Sequence, residues 1–277
     1  MASLLKLLLL FVLGYAVLVA AVYLAQDRMI FMPSERHIAT PEAAGLVYED
    51  VYLEPEPGVL LHGWYLPGPG EDAPVLLFLH GNAGNVSHRI RSLEQFRGLG
   101  LAVLIIDYRG YGHSTGEPGE AGLYADGAAA WAYLAGERGY APGEIVLFGR
   151  SLGAAVAARL AVEQAPGAVI LESAFTSGAE LGSEVYPWLP VRWLLRHRFP
   201  IREQLPAIAA PLLIAHSRED EIVPFRHAQR LLEAGADARL LEMRGGHNDA
   251  FITTGEDYTQ GLRAFLQDAG LRLAPGD

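Results

Sequence analysis

Apolar positions along this chain fall into two rhythms that alternate. Unbroken apolar runs recur at 75–79, 102–106 and 145–148, and further strand-like stretches at 168–171, 211–215 and 238–241 complete the set. A strand covered by helices on both faces has no wet side with which to alternate, so such runs predict strands of a buried parallel sheet. Between them, residues 86–97, 122–134, 152–164, 225–234 and 258–269 carry apolar and polar positions at helical spacing. Ahead of the first run, residues 46–66 hold two strand-like stretches interrupted by Glu54-Pro55-Glu56-Pro57-Gly58, the punctuation of a hairpin. The pattern predicts an α/β fold with a mostly parallel, doubly covered sheet and an antiparallel start. Residues 176–210 break the rhythm. They are too long for an ordinary connection, and Tyr186, Trp188 and Trp193 give them an aromatic character that predicts a small cap over the sheet's C-terminal edge, where these three rings would meet substrate. A satellite core cluster or a membrane-facing patch is the plainer account of the same residues.

The longest apolar run stands apart from the rest. Residues 7–25 carry no charge, and about 19 residues is the length a helix needs to cross a bilayer. Residues 1–26 are therefore expected to form an N-terminal signal anchor. Lys6 and the α-amino group precede the run and Asp27 and Arg28 follow it, so the charge rule favours a cytoplasmic N-terminus with the remainder, 27–277, on the other side. Small residues at Val19-Ala20-Ala21 offer the competing reading of a cleaved signal peptide and secretion. Residues 27–40 read as a linker. A hydrophobic content of 51% suffices for one large core, and the net charge of -11 provides no basic field for nucleic acid. There are no cysteines, which removes disulfides and thiolate chemistry.

The pattern G-x-S-x-G occurs twice, at Gly149-Arg150-Ser151-Leu152-Gly153 and Gly112-His113-Ser114-Thr115-Gly116. Only the first lies between a strand-like and a helix-like run, the context in which a serine is presented on a sharp, strained turn. The second is followed by Glu117-Pro118-Gly119, which forbids an immediate helix. Ser151 is thus the candidate nucleophile and Ser114 a loop residue. A serine hydroxyl needs a base to take its proton, and the base needs a third group to hold it. Of nine histidines, His247 lies in a glycine-flanked loop after the last strand-like run. For the acid, Asp220 is favoured by its short side chain and its place before Ile222-Val223-Pro224, with Glu219 and Glu221 expected as solvated charges and Glu172 as the rival. Oxyanion donors are expected from the backbone N–H of Leu152, at the start of a helix, and of Asn82, in the glycine-rich turn after 75–79. Asp107 reads as a structural brace and His80 as a residue fixing backbone. No His, Asp or Glu cluster has recognisable metal-ligand spacing.

Leu79-His80-Gly81-Asn82-Ala83-Gly84-Asn85, Asp107-Tyr108-Arg109-Gly110-Tyr111-Gly112, the Ser151 pentapeptide, Glu172-Ser173-Ala174-Phe175, Asp220-Glu221-Ile222-Val223-Pro224 and His247 follow one another in an order that resembles the α/β-hydrolase family, and more narrowly its membrane-anchored abhydrolase-domain branch. One position departs from the pattern, Ser217 after His216 where glycine is usual. The resemblance implies an eight-stranded α/β-hydrolase fold, a triad of Ser151, Asp220 and His247, an oxyanion hole from the Asn82 and Leu152 amides, and no cofactor. It further implies hydrolysis of an acyl ester or thioester near a membrane, on a small-molecule or lipid substrate or an acylated protein. An aminopeptidase-like enzyme and a non-catalytic anchored binding protein are the other readings, and the oligomeric state is left open.

Overall fold

The computed structural model describes residues 1–274. It opens with a single long helix, α1 (Ala2–Ile30). The hairpin follows as β1 (Glu49–Glu56) and β2 (Val59–Leu66), then β3 (Val75–Leu79), α2 (Ile90–Gly98), β4 (Ala102–Ile106), α3 (Glu120–Ala132), β5 (Ile145–Arg150), α4 (Leu152–Glu163) and β6 (Ala168–Glu172). Three short helices, α5 (Gly178–Val185), α6 (Val191–Leu194) and α7 (Ile201–Gln204), precede β7 (Leu212–Ser217), α8 (Arg226–Ala234), β8 (Arg239–Met243), α9 (Ala250–Thr253) and α10 (Glu256–Asp268). The eight strands form one sheet in the order β1-β2-β4-β3-β5-β6-β7-β8. Pairings of β1 with β2 and β2 with β4 are antiparallel, and all later ones are parallel.

The continuous apolar runs are explained by what lies on each face. Successive residues of a strand point to opposite sides. Val75, Leu77 and Leu79 therefore enter one core layer with Ala154, Ala157 and Leu231, while Leu76 and Phe78 enter the other with Phe96, Leu262 and Phe265. One face is thus covered by α3, α4, α7 and α8, and the other by α2 and α10. Helix α4 is rich in alanine because it lies nearly against the strands. A Cβ on Gly153 would come within 1.9 Å of the Leu79 carbonyl oxygen, and one on Gly149 within 2.4 Å of the Gly153 carbonyl.

Two boundaries differ from the sequence expectation. Helix α1 does not stop at residue 26 but continues to Ile30, because its last turn is docked: Gln26 accepts from the Arg196 N–H at 2.8 Å, and Asp27 meets Arg196 and His197 at 2.8 and 2.7 Å. The following segment is no free linker either. Its backbone bonds to the loop after β3, with Ser34 N–H donating to Gly84 at 3.1 Å and Gly84 N–H to Met32 at 3.1 Å. Within 176–210, only the part up to about residue 198 stands over the sheet edge. Phe199, Ile201 and Leu205 are buried in the main core, and α7 packs on α4 and α8.

The close approach at α4 generates a test. Gly153→Ala should lower stability by about 3 kcal/mol or more, since backbone faces the new methyl and cannot move aside. Gly98→Ala, in open space at the end of α2, should change it by less than about 1 kcal/mol. Urea unfolding of the detergent-solubilised full chain measures both.

Candidate active site

Four chain segments meet at the C-terminal edge of the sheet. The first is the turn between β5 and α4. Ser151 has φ 52°, a left-handed value that a residue bearing a Cβ adopts at a cost of about 1–3 kcal/mol. The turn is held in place by Ser151 N–H donating to the Glu172 carbonyl at 2.8 Å, and Ser151 lines the cavity described below. Leu152 is the first residue of α4, so its N–H has no acceptor within the helix.

The second and third segments are the loops after β7 and β8. His247 Nε2 lies 3.1 Å from Ser151 Oγ, and its Nδ1 lies 2.7 Å from Asp220 Oδ2. Asp220 Oδ1 accepts the N–H groups of Ile222 and Val223 at 2.9 and 2.7 Å. Burial alone would push the Asp220 carboxyl up, but the bond and charge of His247 and the Val223 N–H outweigh it and hold the group below its ordinary value. Glu219 and Glu221 are not idle surface charges. They accept the Gly245 and His247 N–H groups at 3.1 and 3.0 Å and so fix the histidine loop to the acid loop. Ser217, at the position where glycine is usual, has the same effect: its hydroxyl donates to the Gly245 carbonyl at 2.6 Å. Glu172 is committed elsewhere, to Arg150 Nε and to the Tyr258 hydroxyl at 2.6 Å, and both of its partners are buried.

The fourth segment is the loop 80–85. His80 Nδ1 meets the Gly81 carbonyl at 2.7 Å, and burial pushes its imidazole down to about 4, so the ring is a neutral backbone prop. The Asn82 side chain turns toward the end of α1, accepting from Tyr111 at 2.8 Å and Met32 N–H at 3.2 Å. The start of this loop stands against the elbow turn: a Cβ on Gly81 would lie 3.5 Å from the Ser151 Cβ. Ser114 is a loop residue that donates to the Asp107 carbonyl at 2.7 Å and accepts from His62 N–H at 2.9 Å.

A cavity of about 570 Å³ opens above Ser151. Its walls come from the last turns of α1 (Val22, Gln26, Met29), from the cap (Leu181, Tyr186, Leu194) and from the loops that carry Ser151, Asn82 and His247. Trp188 and Trp193 do not line it. They stand on the outer side of the cap, Trp193 90% exposed, because Leu189 and Val191 between them turn inward and are buried. The contribution of α1 to the wall was not legible in the chain, since nothing in an apolar helix says which side of it meets a pocket.

The structure also gathers a trio that sequence spacing did not reveal. The ring nitrogens of His37, His62 and His113 lie within 4.8 Å of one another. Asp107 stands beside them, meeting His37 at 2.8 Å and His62 at 3.4 Å while accepting the Val86 N–H at 2.9 Å. Both nitrogens of His62 are taken, by Asp107 and by Asp50 at 2.8 Å, and His37 and His113 are stacked at 3.8 Å. A divalent ion would have to displace these bonds, so the cluster fits a brace under the 80–85 loop better than a ligand set.

Sheet order, elbow and connected side chains define the class. This chain belongs to the α/β-hydrolase family, in its membrane-anchored abhydrolase-domain branch. Residues 70–201 match the family described as serine aminopeptidase, S33. The chain is 41% identical over 249 residues, 89% of each chain, to an uncharacterized protein of Mycobacterium tuberculosis. It is 32% identical over 282 residues (92% of this chain, 90% of the relative) to the alpha/beta hydrolase domain-containing protein WAV2 of Arabidopsis thaliana. To lysophosphatidylserine lipase ABHD12 of Danio rerio it is 30% identical over 271 residues, covering 82% and 70%. Among solved structures, the Pyrococcus furiosus esterase Pf2001 shares the fold with a TM-score of 0.68 at 22% identity, over 86% of this chain and 98% of that one.

Asp107 supplies a pH test. Burial would raise its carboxyl, but the bonds of His37 and His62 outweigh burial and hold it well below the usual carboxylate range. With the folded value below that of the unfolded chain, its stabilisation is complete above about pH 4 and is lost as pH falls through the folded value. Asp107→Asn should therefore cost about 3 kcal/mol at neutral pH and flatten the acid limb of a stability-against-pH curve measured by denaturant unfolding.

Proposed function

We propose that this protein is a serine hydrolase that cleaves the carboxylic ester or thioester of an acyl lipid through an acyl-enzyme on Ser151. The observation that carries this reading is the unbroken chain from Ser151 Oγ through His247 to Asp220, 3.1 and 2.7 Å, at the floor of an apolar cavity. In the proposed cycle, His247 Nε2 takes the hydroxyl proton as Oγ attacks the acyl carbonyl. Asp220 keeps Nδ1 protonated and stabilises the imidazolium that forms. The amides of Leu152 and Asn82 would receive the developing oxyanion, and the start of α4 favours negative charge there. His247 then returns the proton to the leaving alcohol or thiol, and water repeats the sequence on the acyl-enzyme. No cofactor enters this scheme.

A lipid is favoured over a peptide by the composition of the cavity. Among the described residues its lining includes no carboxylate that could receive a substrate's α-amino group, whereas the walls from α1 and the cap are apolar. The lipase relative, named for a lysophospholipid, supports the same choice.

The length of α1 supports a membrane location for the cavity mouth. Tyr15 donates to the Trp188 carbonyl at 2.8 Å, so the cap reaches halfway along the helix. Residues 2–14 alone supply about 20 Å of helix, against a hydrocarbon thickness of about 30 Å. If α1 spans, the cap edge is drawn into the bilayer surface, where exposed Trp188 and Trp193 act as interfacial anchors rather than substrate contacts. The hydrolase domain, residues 27–277, would lie on the non-cytoplasmic side.

A fluorophosphonate probe should label the wild type and not Ser151→Ala or His247→Ala. Asp220→Asn should keep the fold and lower kcat by about 10⁴-fold, with a smaller loss in Glu172→Gln. The reverse order would move the acid to Glu172. Across a panel of esters and aminoacyl amides, long-chain esters should be the substrates. Failure of folded wild type to label would sink the proposal.

A further inference from the structure

Residues 188–197 of the cap run along α1, and their contacts give them levels on that helix. The Trp188 carbonyl accepts from Tyr15 at 2.8 Å, the Leu194 carbonyl and the Arg196 N–H both meet Gln26, and Arg196 and His197 meet Asp27 at 2.8 and 2.7 Å. Between Tyr15 and Asp27 the helix rises about 18 Å. The cap segment therefore passes from the apolar part of α1 to the end where charge begins, at Asp27 and Arg28.

Charge on the segment follows the same order. Residues 185–202 hold four arginines and no carboxylate, in a chain with 32 acidic and 21 basic residues. Arg196 is matched by Asp27. The carboxylates nearby are engaged elsewhere: Glu120 accepts the Arg198 and Phe199 N–H groups at 2.5 and 2.8 Å, and Glu184 pairs with Arg226. Arg192 and Arg198 are exposed, and their guanidinium groups meet no carboxylate among the described residues. Around β8, by contrast, Arg218, Arg239 and Arg244 each have a carboxylate partner. Trp188 and Trp193, on either side of Arg192, are exposed as well. Indole rings favour the boundary between acyl chains and headgroups. A guanidinium beside them reaches phosphate with its planar fork, while its apolar stem tolerates a deeper level.

We infer that the outer face of the cap docks on an anionic bilayer surface, with Trp188 and Trp193 as its aromatic part and Arg192 and Arg198 holding the phosphates of its lipids. None of the four lines the cavity, so the partner is the surface itself, whichever acyl compound reaches Ser151. This rests on the reading of α1 as a membrane-spanning helix and adds a lipid selectivity to it.

Of the four tryptophans, Trp64 and Trp131 are buried, so bromine on lipid acyl chains would quench Trp188 and Trp193. The full chain is reconstituted in mixed vesicles of phosphatidylcholine and phosphatidylglycerol, with bromine on one lipid or the other. Quenching of wild type by brominated phosphatidylglycerol should exceed that lipid's share of the bilayer by about threefold or more, since each basic residue near an anionic surface adds attraction. High salt should reduce the excess. Arg192→Gln with Arg198→Gln should abolish it, the corresponding pair of lysine substitutions should keep most of it, and Arg91→Gln, an exposed arginine on α2, should leave it unchanged. A wild-type ratio equal to the lipid's share overturns the inference, as does a ratio that the paired glutamine substitutions leave unmoved. Absence of quenching by either lipid also overturns it and assigns the face to a partner other than a bilayer. Alkaline extraction of the same vesicles reports separately on α1. A chain released by it has lost the spanning reading, whereas a chain retained without the excess has lost only the lipid selectivity.

Discussion

The contact on which the rest depends is the near collision of α4 with the sheet at Gly149 and Gly153. No side chain fits there, since a methyl on Gly153 would meet the Leu79 carbonyl oxygen at 1.9 Å. That approach lets a helix start one residue after a strand ends, and it puts the residue between them, Ser151, in a left-handed conformation that the surrounding packing must sustain. The same contact brings the end of β3 beside the turn, so the 80–85 loop necessarily faces Ser151. Ser151 and the 80–85 loop are thereby positioned by rigid strands rather than by flexible connections.

Around this centre the structure is a set of loops tied to loops. Glu219, Glu221 and Ser217 join the acid loop to the histidine loop, and Asp107 with His37 and His62 supports the loop after β3 from behind. Each tie satisfies a backbone or imidazole group that would otherwise be left unpaired in a partly dry edge, so each is favourable for stability as well as for geometry. The N-terminal segment completes the arrangement. The 31–37 stretch bonds to the 80–85 loop, and the last turns of α1 form one wall of the cavity. A helix long and apolar enough to cross a membrane therefore also shapes the cavity above Ser151.

Much of this was legible in the chain because the physics concerned is local. Continuous apolar runs followed from burial on two faces, the elbow from glycine spacing at a strand-to-helix junction, and Ser114 was set aside because Pro118 forbids a helix. The less legible parts depend on where distant segments meet. Glu219 and Glu221 are exposed, as expected, but that they also accept the Gly245 and His247 N–H groups was not legible, because those donors lie on another loop. Trp188 and Trp193 looked like pocket residues because aromatic content says nothing about which side of a cap a ring takes. His37, His62 and His113 come from a linker, a strand and a loop, so no spacing pattern could have joined them.

By itself the sequence determined the strand and helix rhythm, the family, the one serine with an elbow around it, and the residue types able to partner it, because each of these follows from burial periodicity or from short-range backbone constraint. Only the tertiary structure decided that His247 and Asp220 converge on Ser151, that Glu172 is spent on Arg150 and Tyr258, and that α1 lines the cavity. Those are facts about charges and surfaces brought together from segments 22 to 96 residues apart, and farther for α1, and the free energy that fixes them belongs to the packed whole rather than to any segment.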